Sequence, residues 1–226
     1  MATASKLVLI TGLLLASHEY HVFLGSRDPA RGEESARVLR ALPEIKGTSV
    51  DAAAAYVQAE YGRLNVLVNN AGIAILDEPP SRESYRKVLD VNLIGALSTT
   101  EAFLDLLRQS LEKRLIFVSS STGSITHAAD PESPYYSPRG IEYRTGKAAL
   151  NMMMVLYWVR LKEEGFKVFG ADPGLCATNL TRDPESLRMR NAAEPSKGVR
   201  RVATVVKGER DADAGKVIGD YGVSPF

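Results

Sequence analysis

Hydrophobic runs alternate with longer amphipathic stretches, a pattern typical of a parallel sheet wrapped by helices. The short apolar runs predict strands at Lys6–Thr11, Tyr20–Gly25, Leu64–Val68, Arg114–Ser119, Lys167–Ala171 and Lys216–Ile218. The stretches between them predict helices at Pro29–Leu42, Ala52–Tyr61 (capped by Asp51), about Ser81–Gln109 (broken in two), Thr145–Glu164 and Glu194–Val206. We therefore expect one α/β domain over residues 1–226, with halves at about 1–110 and 111–226.

Composition narrows the class of protein. The chain has 28 Lys and Arg against 27 Asp and Glu, a net charge of +1, so no basic surface for nucleic acid is expected. A single cysteine, Cys176, cannot form an intramolecular disulfide, which favours a reducing compartment, the cytoplasm. Lys6 and the run Leu7–Ala16 resemble a signal peptide, but Thr11-Gly12 interrupts the run. The run is too short to span a membrane.

A tyrosine and a lysine carry the strongest local signal. Tyr143 and Lys147 are four residues apart, so on a helix they share one face. A nearby cation favours the phenolate, and we expect it to lower the tyrosine pKa from about 10. Such pairs also arise by chance in helices, although only Tyr143 among nine tyrosines has a lysine four residues on.

Three further groups of polar residues lie where a parallel sheet could use them. Ser119–Gly123 (SSSTG) follows an apolar strand, and ligands of open α/β sheets bind beyond the carboxyl ends of strands. Asn92 interrupts an apolar helix, which indicates that something needs its hydrogen bonds. Pro173-Gly174 follows another strand, and Thr178 lies four residues beyond the glycine. A serine-rich loop that only caps the next segment is the alternative for the first group.

In this order, these motifs resemble the short-chain dehydrogenase/reductase family. Asn69-Asn70-Ala71-Gly72 matches the NNAG signature of that family. Its catalytic tetrad is matched by Asn92, Ser120, Tyr143 and Lys147. Ser120 is chosen among the serines because the serine of the family stands three residues before a glycine, here Gly123. The resemblance implies a Rossmann-like, doubly wound parallel sheet in three layers.

The resemblance also implies a reaction, hydride transfer between a nicotinamide cofactor and a small carbonyl or alcohol substrate. Tyr143 would protonate the carbonyl oxygen, and Lys147 would lower the Tyr143 pKa and hold the ribose. Ser120 would position the carbonyl oxygen, and Asn92 would hold a water that links Lys147 to solvent. No metal is implied. The residues implied to bind the cofactor are Gly12, Ser26, Arg27, Asn70, Ala71, Gly72, Tyr143, Lys147, Pro173, Gly174 and Thr178.

The tip of the second strand indicates which cofactor is preferred. In dinucleotide-binding folds an acid near this tip binds the ribose 2′-hydroxyl, whereas an arginine accommodates a 2′-phosphate. Arg27 follows Ser26 directly, and a guanidinium can hold a phosphate through two hydrogen bonds. Asp28 is better explained as the cap of the helix that begins at Pro29. NADP(H) is therefore the preferred cofactor, and NAD(H) is the alternative.

Two departures from the family pattern fall in the cofactor half. The family turn TGxxxGxG is replaced by Thr11-Gly12 followed by Leu13–Ala16, without a second or third glycine. Only residues 12–19 separate the first two strands, whereas a crossover that contains a helix needs about 10 to 12 residues. The first helix is then very short, or the second strand pairs unusually. The third strand is also missing, because Pro43–Val50 holds no apolar run of normal length.

Three explanations of these departures stay open. The sequence lacks two segments, or it is a shortened homologue that binds cofactor weakly, or it is a catalytically silent binding or scaffold protein. The first is favoured because both gaps fall in the cofactor half. An intact tetrad counts against the third.

The distance between Ser120 and Tyr143 is about ten residues longer than the family pattern predicts. The excess lies in Thr126–Gly140, a loop whose aromatic side chains could pack on a substrate or on the protein itself. The helices equivalent to Thr145–Glu164 form dimer interfaces in related enzymes, so a homodimer or homotetramer is an open expectation.

Overall fold

The computed structural model describes residues 6–11, 20–25, 50–76, 78–181 and 183–226. The strands are β1 (Lys6–Thr11), β2 (Tyr20–Gly25), β3 (Val66–Asn69), β4 (Arg114–Val118), β5 (Lys167–Ala171), β6 (Val217–Gly219) and β7 (Gly222–Ser224). The helices are α1 (Val50–Tyr61), α2 (Arg82–Leu89), α3 (Gly95–Arg108), α4 (Ile125–Ala129), α5 (Ile141–Leu161), α6 (Pro184–Met189) and α7 (Pro195–Val206).

The strands form one sheet in the order β2-β1-β3-β4-β5-β6-β7. Strands β1 to β6 are parallel, and β7 pairs antiparallel with β6. The register places Leu67 opposite Leu115 and Leu115 opposite Val168, so apolar residues form rows across the centre of the sheet. The predicted α/β class with a parallel sheet is therefore confirmed, and β7 is the strand that hydrophobic patterning did not reveal.

Both faces of the sheet are covered, which gives the expected three layers. Because strand residues alternate between faces, the buried residues divide into two clusters. On one face, β3 and β4 pack against α3 and α5 through Leu67, Phe117, Phe103, Leu107 and Met154. On the other face, β4 and β5 pack against α7 through Ile116, Phe169, Val202 and Val205. The centre of the sheet is thus buried and apolar on both faces, and the loops at its carboxyl edge extend from this core.

The short connection between the first two strands does not prevent them from pairing. Strands β1 and β2 are parallel, with Lys6 opposite Tyr20 and Thr11 opposite Gly25. Unusual pairing of the second strand is therefore excluded, which leaves a very short connection. Within the part of the chain that the structure describes, no strand pairs with the outer edge of β2, and residues 43–49, where the third strand is expected to be shortened or missing, lie outside that part. The predicted helix Pro29–Leu42 and the residues Gly12, Ser26 and Arg27 lie outside the described residues.

Helix boundaries differ from the expectations in ways that matter for the site. Helix α5 begins at Ile141, four residues earlier than predicted, after Gly140 in a left-handed conformation (φ 72°). The predicted break within Ser81–Gln109 is a π-helical turn, Asp90–Ile94, which joins α2 to α3 without interrupting the helical path. Helix α1 begins at Val50, so Asp51 lies in its first turn and is not its cap.

Among the residues with a described structure, no helix is both long and apolar enough to cross a membrane. The same residues contain no group of three His, Cys, Asp or Glu side chains that could hold a metal ion.

Candidate active site

Polar side chains gather where β3, β4 and β5 end. Because carboxyl ends of parallel strands meet at one edge of a sheet, these three strands bring distant segments together. Asn69 ends β3, Ser119 follows β4 and Asp172 follows β5, and all three residues are buried. This edge is where parallel α/β sheets place their ligands.

The early start of α5 puts Tyr143 in its first turn, with Lys147 one turn further along the same face. The Lys147 Nζ lies 5.7 Å from the centroid of the Tyr143 ring. Lys147 is only 5% exposed, and its Nζ donates a hydrogen bond of 2.6 Å to the carbonyl of Val118 at the end of β4. The ammonium is thus fixed between α5 and the sheet, beside the phenol.

Burial shifts the pKa values of both residues. It lowers the pKa of Lys147 to about 8, although the negative charge of Asp172 acts in the opposite direction. It raises the pKa of Tyr143 above its usual value, Asp172 raises it further, and a hydrogen bond with Ser120 lowers it. The expected lowering of the Tyr143 pKa by Lys147 is wrong for this structure, because desolvation and the Asp172 charge dominate.

The structure gives the three serines after β4 different partners. Ser119 is buried and donates to the side-chain oxygen of Asn151 on α5. Ser121 is buried and donates through both its backbone N–H and its hydroxyl to Asp172. Ser120 is half-buried, its hydroxyl bonds to the Thr122 hydroxyl at 2.9 Å, and it is the serine close enough to Tyr143 to lower the pKa of that phenol. The serine chosen from the sequence is the one beside the phenol.

A glycine allows this serine segment to approach α5. A Cβ on Gly123 would lie 2.8 Å from the backbone carbon of Lys147 and 2.9 Å from the nitrogen of Ala148. Real Cβ atoms do not approach backbone atoms so closely, so any other residue would push the segment away from the helix. Gly123 therefore sets how close Ser120 comes to Tyr143.

The Asn92 side chain is hydrogen-bonded to the backbone of Ile73. It is 1% exposed, its Oδ1 accepts from the backbone N–H of Ile73 at 2.8 Å, and its Nδ2 donates to the Ile73 carbonyl at 2.9 Å. A Cβ on Gly72 would lie 3.4 Å from the same Oδ1. The π-helical turn thus ties α2 and α3 to the segment that follows β3, and π turns are frequent at functional sites.

The first strand is joined to that segment by a threonine. The Thr11 hydroxyl accepts hydrogen bonds from the backbone N–H groups of Asn70 (2.9 Å) and Ala71 (3.0 Å). The Asn70 side chain in turn donates to the Thr11 carbonyl at 3.1 Å. These bonds hold the exposed Ala71 backbone at the carboxyl edge of the sheet, beside the end of β1. Sequence reasoning gave Thr11 no role.

The segment after β5 is held from two sides. Asp172 accepts from the backbone N–H of Gly174 at 2.7 Å, and Arg201 on α7 donates to the carbonyl of Pro173 at 2.5 Å. Cys176, half-buried, also points its thiol at that carbonyl, 3.4 Å away. Thr178 accepts from the backbone N–H of Leu180 at 3.3 Å. Among the described residues, Thr178 forms no hydrogen bond with Tyr143 or Lys147.

The long loop borders the tetrad. Arg144, next to Tyr143, donates to the carbonyls of Thr122 (3.1 Å) and Tyr135 (2.8 Å), which ties the loop to the serine segment. The rings of His127 and Tyr135 lie 5.1 Å apart, and α4 occupies the start of the loop. These two aromatic side chains therefore pack partly on each other.

Asp172 is the residue that sequence reasoning missed. Its carboxylate bonds to Ser121, the neighbour of Ser120 in the sequence, and influences the pKa values of Tyr143 and Lys147. A signal was present, because an acidic residue directly after a strand as apolar as Lys167–Ala171 needs fixed partners.

Comparison with known proteins identifies the class that this fold and site define. The family model described as short chain dehydrogenase matches residues 13–187. The short-chain dehydrogenase/reductase tropE of Talaromyces stipitatus is 36% identical, over 98% of this chain and 98% of that protein. The short-chain dehydrogenase anuI of Penicillium roqueforti is 32% identical, over 97% and 96%. The chain belongs to the short-chain dehydrogenase/reductase family of oxidoreductases.

Solved structures agree with this assignment. The NADPH-bound carbonyl reductase from chicken fatty liver superposes with a TM-score of 0.82 at 26% identity, over 98% of this chain and 94% of that one. The carbonyl reductase Sniffer of D. melanogaster gives a TM-score of 0.74 at 21% identity, which is a likeness of fold.

The comparison with tropE also shows how short this chain is. The alignment of the two proteins extends over 267 positions, 41 more than the 226 residues of this chain. At least 41 aligned positions therefore carry no residue of this chain. A shortened chain, expected from the two departures in the cofactor half, agrees with that difference.

Proposed function

We propose that this protein reduces a small carbonyl compound with NADPH, or catalyses the reverse oxidation, and that Asn92, Ser120, Tyr143 and Lys147 form its catalytic tetrad. The observation that carries the proposal is the contact of three of these side chains at the carboxyl edge of the sheet. Ser120 faces the phenol of Tyr143, and the Lys147 ammonium lies beside its ring. When bound, the nicotinamide supplies the hydride.

Tyr143 acts as the general acid. Its raised pKa keeps the phenol protonated at neutral pH, as an acid that gives a proton to a carbonyl oxygen must be. The carbonyl carbon gains a hydride, its oxygen gains the Tyr143 proton, and the product is an alcohol. Ser120 donates a hydrogen bond to the same oxygen as negative charge develops there.

Lys147 and Asn92 support this proton transfer. A charged Lys147 beside the ring stabilises the phenolate that Tyr143 becomes after giving up its proton. Asn92 holds the segment Gly72-Ile73 against the π-helical turn through two hydrogen bonds. These bonds fix the chain that follows β3 beside the site. We retain the proposal that Asn92 also contacts a water that leads from Lys147 to solvent.

The residues present fit the nicotinamide end of the cofactor. An ammonium has three N–H donors, and the carbonyl of Val118 takes one at Lys147, which leaves donors for two ribose hydroxyls. We propose that Lys147 and Tyr143 hold the ribose, that Pro173, Gly174 and Thr178 line the nicotinamide, and that Asn70, Ala71 and Gly72 lie along the cofactor. Gly12, Ser26 and Arg27, proposed for the phosphates, lie outside the described residues.

Preference for NADP(H) rests on Arg27, and the carbonyl reductase from chicken, a structural relative, binds NADPH. Arg27→Glu should weaken NADPH binding by at least tenfold and leave NADH binding within about twofold, because one phosphate contact contributes more than about 1.4 kcal/mol. Fluorescence titration measures both constants, with Arg86→Glu on the exposed face of α2 as the charge-matched control. Equal losses for both cofactors would refute the preference.

The reaction itself is tested by removing one hydroxyl. Tyr143→Phe should lower kcat by about a thousandfold or more, with the NADPH dissociation constant nearly unchanged. Tyr157→Phe is the matched control, since it makes the same change on the same helix at a phenol bonded to Glu101 (2.6 Å). Full activity in Tyr143→Phe would contradict the role of this residue.

The short β1–β2 connection keeps a second candidate open, a catalytically silent binding protein on the same fold. This candidate predicts that adding the wild-type protein leaves the fluorescence of NADPH and of NADH unchanged. Turnover of a carbonyl compound with either cofactor excludes it.

Three further properties are proposed with the function. We propose a single domain, because one sheet takes strands from both halves of the chain. We propose a cytoplasmic protein on the basis of its single cysteine. We propose a homodimer or homotetramer through α3 and α5, whose exposed apolar side chains include Leu97, Met152, Leu156 and Val159. Sedimentation of a Leu156→Glu variant tests the last.

A further inference from the structure

Asp172 is a buried carboxylate to which the proposed tetrad assigns no role. It is 4% exposed, and charged side chains are buried to this extent only when hydrogen bonds satisfy them. Its Oδ2 accepts from the backbone N–H of Ser121 at 2.8 Å, from the Ser121 hydroxyl and from the Tyr221 hydroxyl at 3.3 Å. Its Oδ1 accepts from the backbone N–H of Gly174 at 2.7 Å.

These donors come from three separate segments of the chain. Ser121 directly follows Ser120, so one bond fixes the backbone that carries the proposed oxygen-positioning hydroxyl. Gly174 belongs to the segment proposed to line the nicotinamide. Tyr221 lies in the turn between β6 and β7, at the carboxyl-terminal edge of the sheet. One carboxylate therefore holds together both sides of the site and the last hairpin.

Arg201 makes a second connection between the same parts. Its guanidinium donates to the carbonyl of Pro173 at 2.5 Å and forms a two-point ion pair with Asp220, whose Nε–Oδ1 distance is 2.9 Å. Asp220 is the neighbour of Tyr221 in the β6–β7 turn. The turn is thus linked twice to the segment after β5, directly by Tyr221 and through Arg201 by Asp220.

We propose that Asp172 is a positioning residue, whose charged carboxylate fixes Ser120 and the Pro173-Gly174 segment relative to Tyr143 and whose own position is set by Tyr221 of the last hairpin. The proposal rests on the proposed function, because it assigns these residues to that reaction.

The charge of this carboxylate acts on the proton-carrying groups as well as on the backbone. Asp172 raises the pKa of Lys147, which opposes the lowering by burial, and it raises the pKa of Tyr143. It thereby helps to keep both groups protonated. The titratable and charged groups that face it or its donors are Tyr143 and Lys147 on α5, Tyr221 in the hairpin turn, Tyr135 in the long loop, Cys176 after β5 and Arg201 on α7.

The test is Asp172→Asn, which keeps the size of the side chain but removes its charge. We expect kcat for carbonyl reduction to fall ten- to a hundredfold, and the alkaline midpoint of the kcat profile to move down by about one pH unit. Asp105→Asn, at an exposed carboxylate on α3, is the matched control. A variant that is less stable but keeps the wild-type midpoint would overturn the proposal and leave Asp172 a purely structural residue.

A second measurement needs neither cofactor nor activity. In protein with ¹³C-labelled lysine, the Lys147 signal, identified by its loss in Lys147→Arg, should titrate at lower pH in Asp172→Asn than in the wild type. An unchanged titration overturns the proposal. This result is independent of the proposed function, which fails separately if the wild-type protein binds no nicotinamide cofactor.

Tyr221→Phe keeps the proposal testable if Asp172→Asn does not fold. It removes one donor and leaves the carboxylate charged. We expect kcat to fall three- to tenfold without a shift of the pH midpoint, and hydrogen exchange in residues 217–224 to accelerate. Unchanged kcat would overturn the role assigned to Tyr221 and to its carboxylate partner.

Discussion

The two ends of the same parallel sheet bury polar groups in different ways. At the amino end, Arg114 is 5% exposed and binds Asp211 through two hydrogen bonds of 2.6 and 3.2 Å. Asn65, also at this end, accepts from the backbone N–H of Leu7 and donates to Ser110, both at 2.9 Å. At the carboxyl end, burial instead displaces the pKa values of Tyr143 and Lys147.

This difference separates structural polar groups from chemical ones. An arginine stays charged and an amide stays neutral at every physiological pH, so the amino end can only hold the strands in register. A phenol and an ammonium with displaced pKa values can exchange protons, and such groups cluster at functional sites. Substitutions at the two ends should therefore affect different quantities.

The largest effect is expected at Lys147. Lys147→Met keeps most of the buried stem but removes the ammonium, so the phenolate formed at Tyr143 loses the cation that lies beside its ring. We expect kcat/KM for reduction to fall by roughly 10² to 10⁴. Lys207→Met, at an exposed lysine after α7, should leave kcat/KM unchanged in the same steady-state assay. Comparable rates in the two variants would remove Lys147 from the mechanism.

The next effect concerns the close contact between the serine segment and α5. Gly123→Ala places a methyl group against the Lys147 backbone and should destabilise the protein by about 2–3 kcal/mol. Gly95→Ala is the control, because a Cβ there meets only the Asp90 carbonyl at an ordinary 3.5 Å. It should stabilise α3 by about 0.5–1 kcal/mol. Denaturant unfolding measures both, and equal values would show that Gly123 is not tightly packed.

The buried lysine also predicts a pH dependence of stability. Its pKa falls from 10.5 in the unfolded chain to about 8 in the folded protein, so between these values the unfolded chain binds more protons. The free energy of unfolding contributed by this group therefore rises with pH in this window, by roughly 2 kcal/mol between pH 8 and 9.5. The difference between wild type and Lys147→Met in urea unfolding should change in favour of wild type by that amount. A constant difference from pH 7 to 9.5 would contradict the lowered pKa.

The smallest effect is expected at the amino end. Arg114→Met removes the ion pair with Asp211, which is 41% exposed and can be solvated again, so the loss should be about 1–2 kcal/mol. The kcat and its pH profile should stay as in the wild type, since the change lies at the far end of the sheet. A shifted pH profile would mean that the two ends are not independent.

The sequence predicted those parts of the fold that follow from local pattern. Six strands lie near their predicted positions because each is an apolar run bounded by polar residues, and the four-residue spacing of Tyr143 and Lys147 predicts that they share one face of a helix. Strand β7 was missed because three residues, Gly222–Ser224, are too few to show a pattern. The early start of α5 depends on Gly140, whose left-handed conformation was not readable from its neighbours.

Long-range contacts explain the remaining differences. The raised pKa of Tyr143 depends on its burial and on Asp172, which lies 29 positions further along the chain. The pairing of Asn92 with Ile73 depends on how the π-helical turn meets the segment after β3. Spacing along the chain predicts which residues share a helix face, but not which groups of other segments meet them.

The short antiparallel strand β7 limits how the sheets of two molecules can pair edge to edge. A strand of three residues offers a foreign strand few free backbone groups, so sheets of two molecules would gain little by joining there. Strand β2, at the opposite edge of the described sheet, has six residues and runs parallel to its neighbour. Among the strands that the structure describes, β2 therefore offers the longer edge for a sheet shared between two copies.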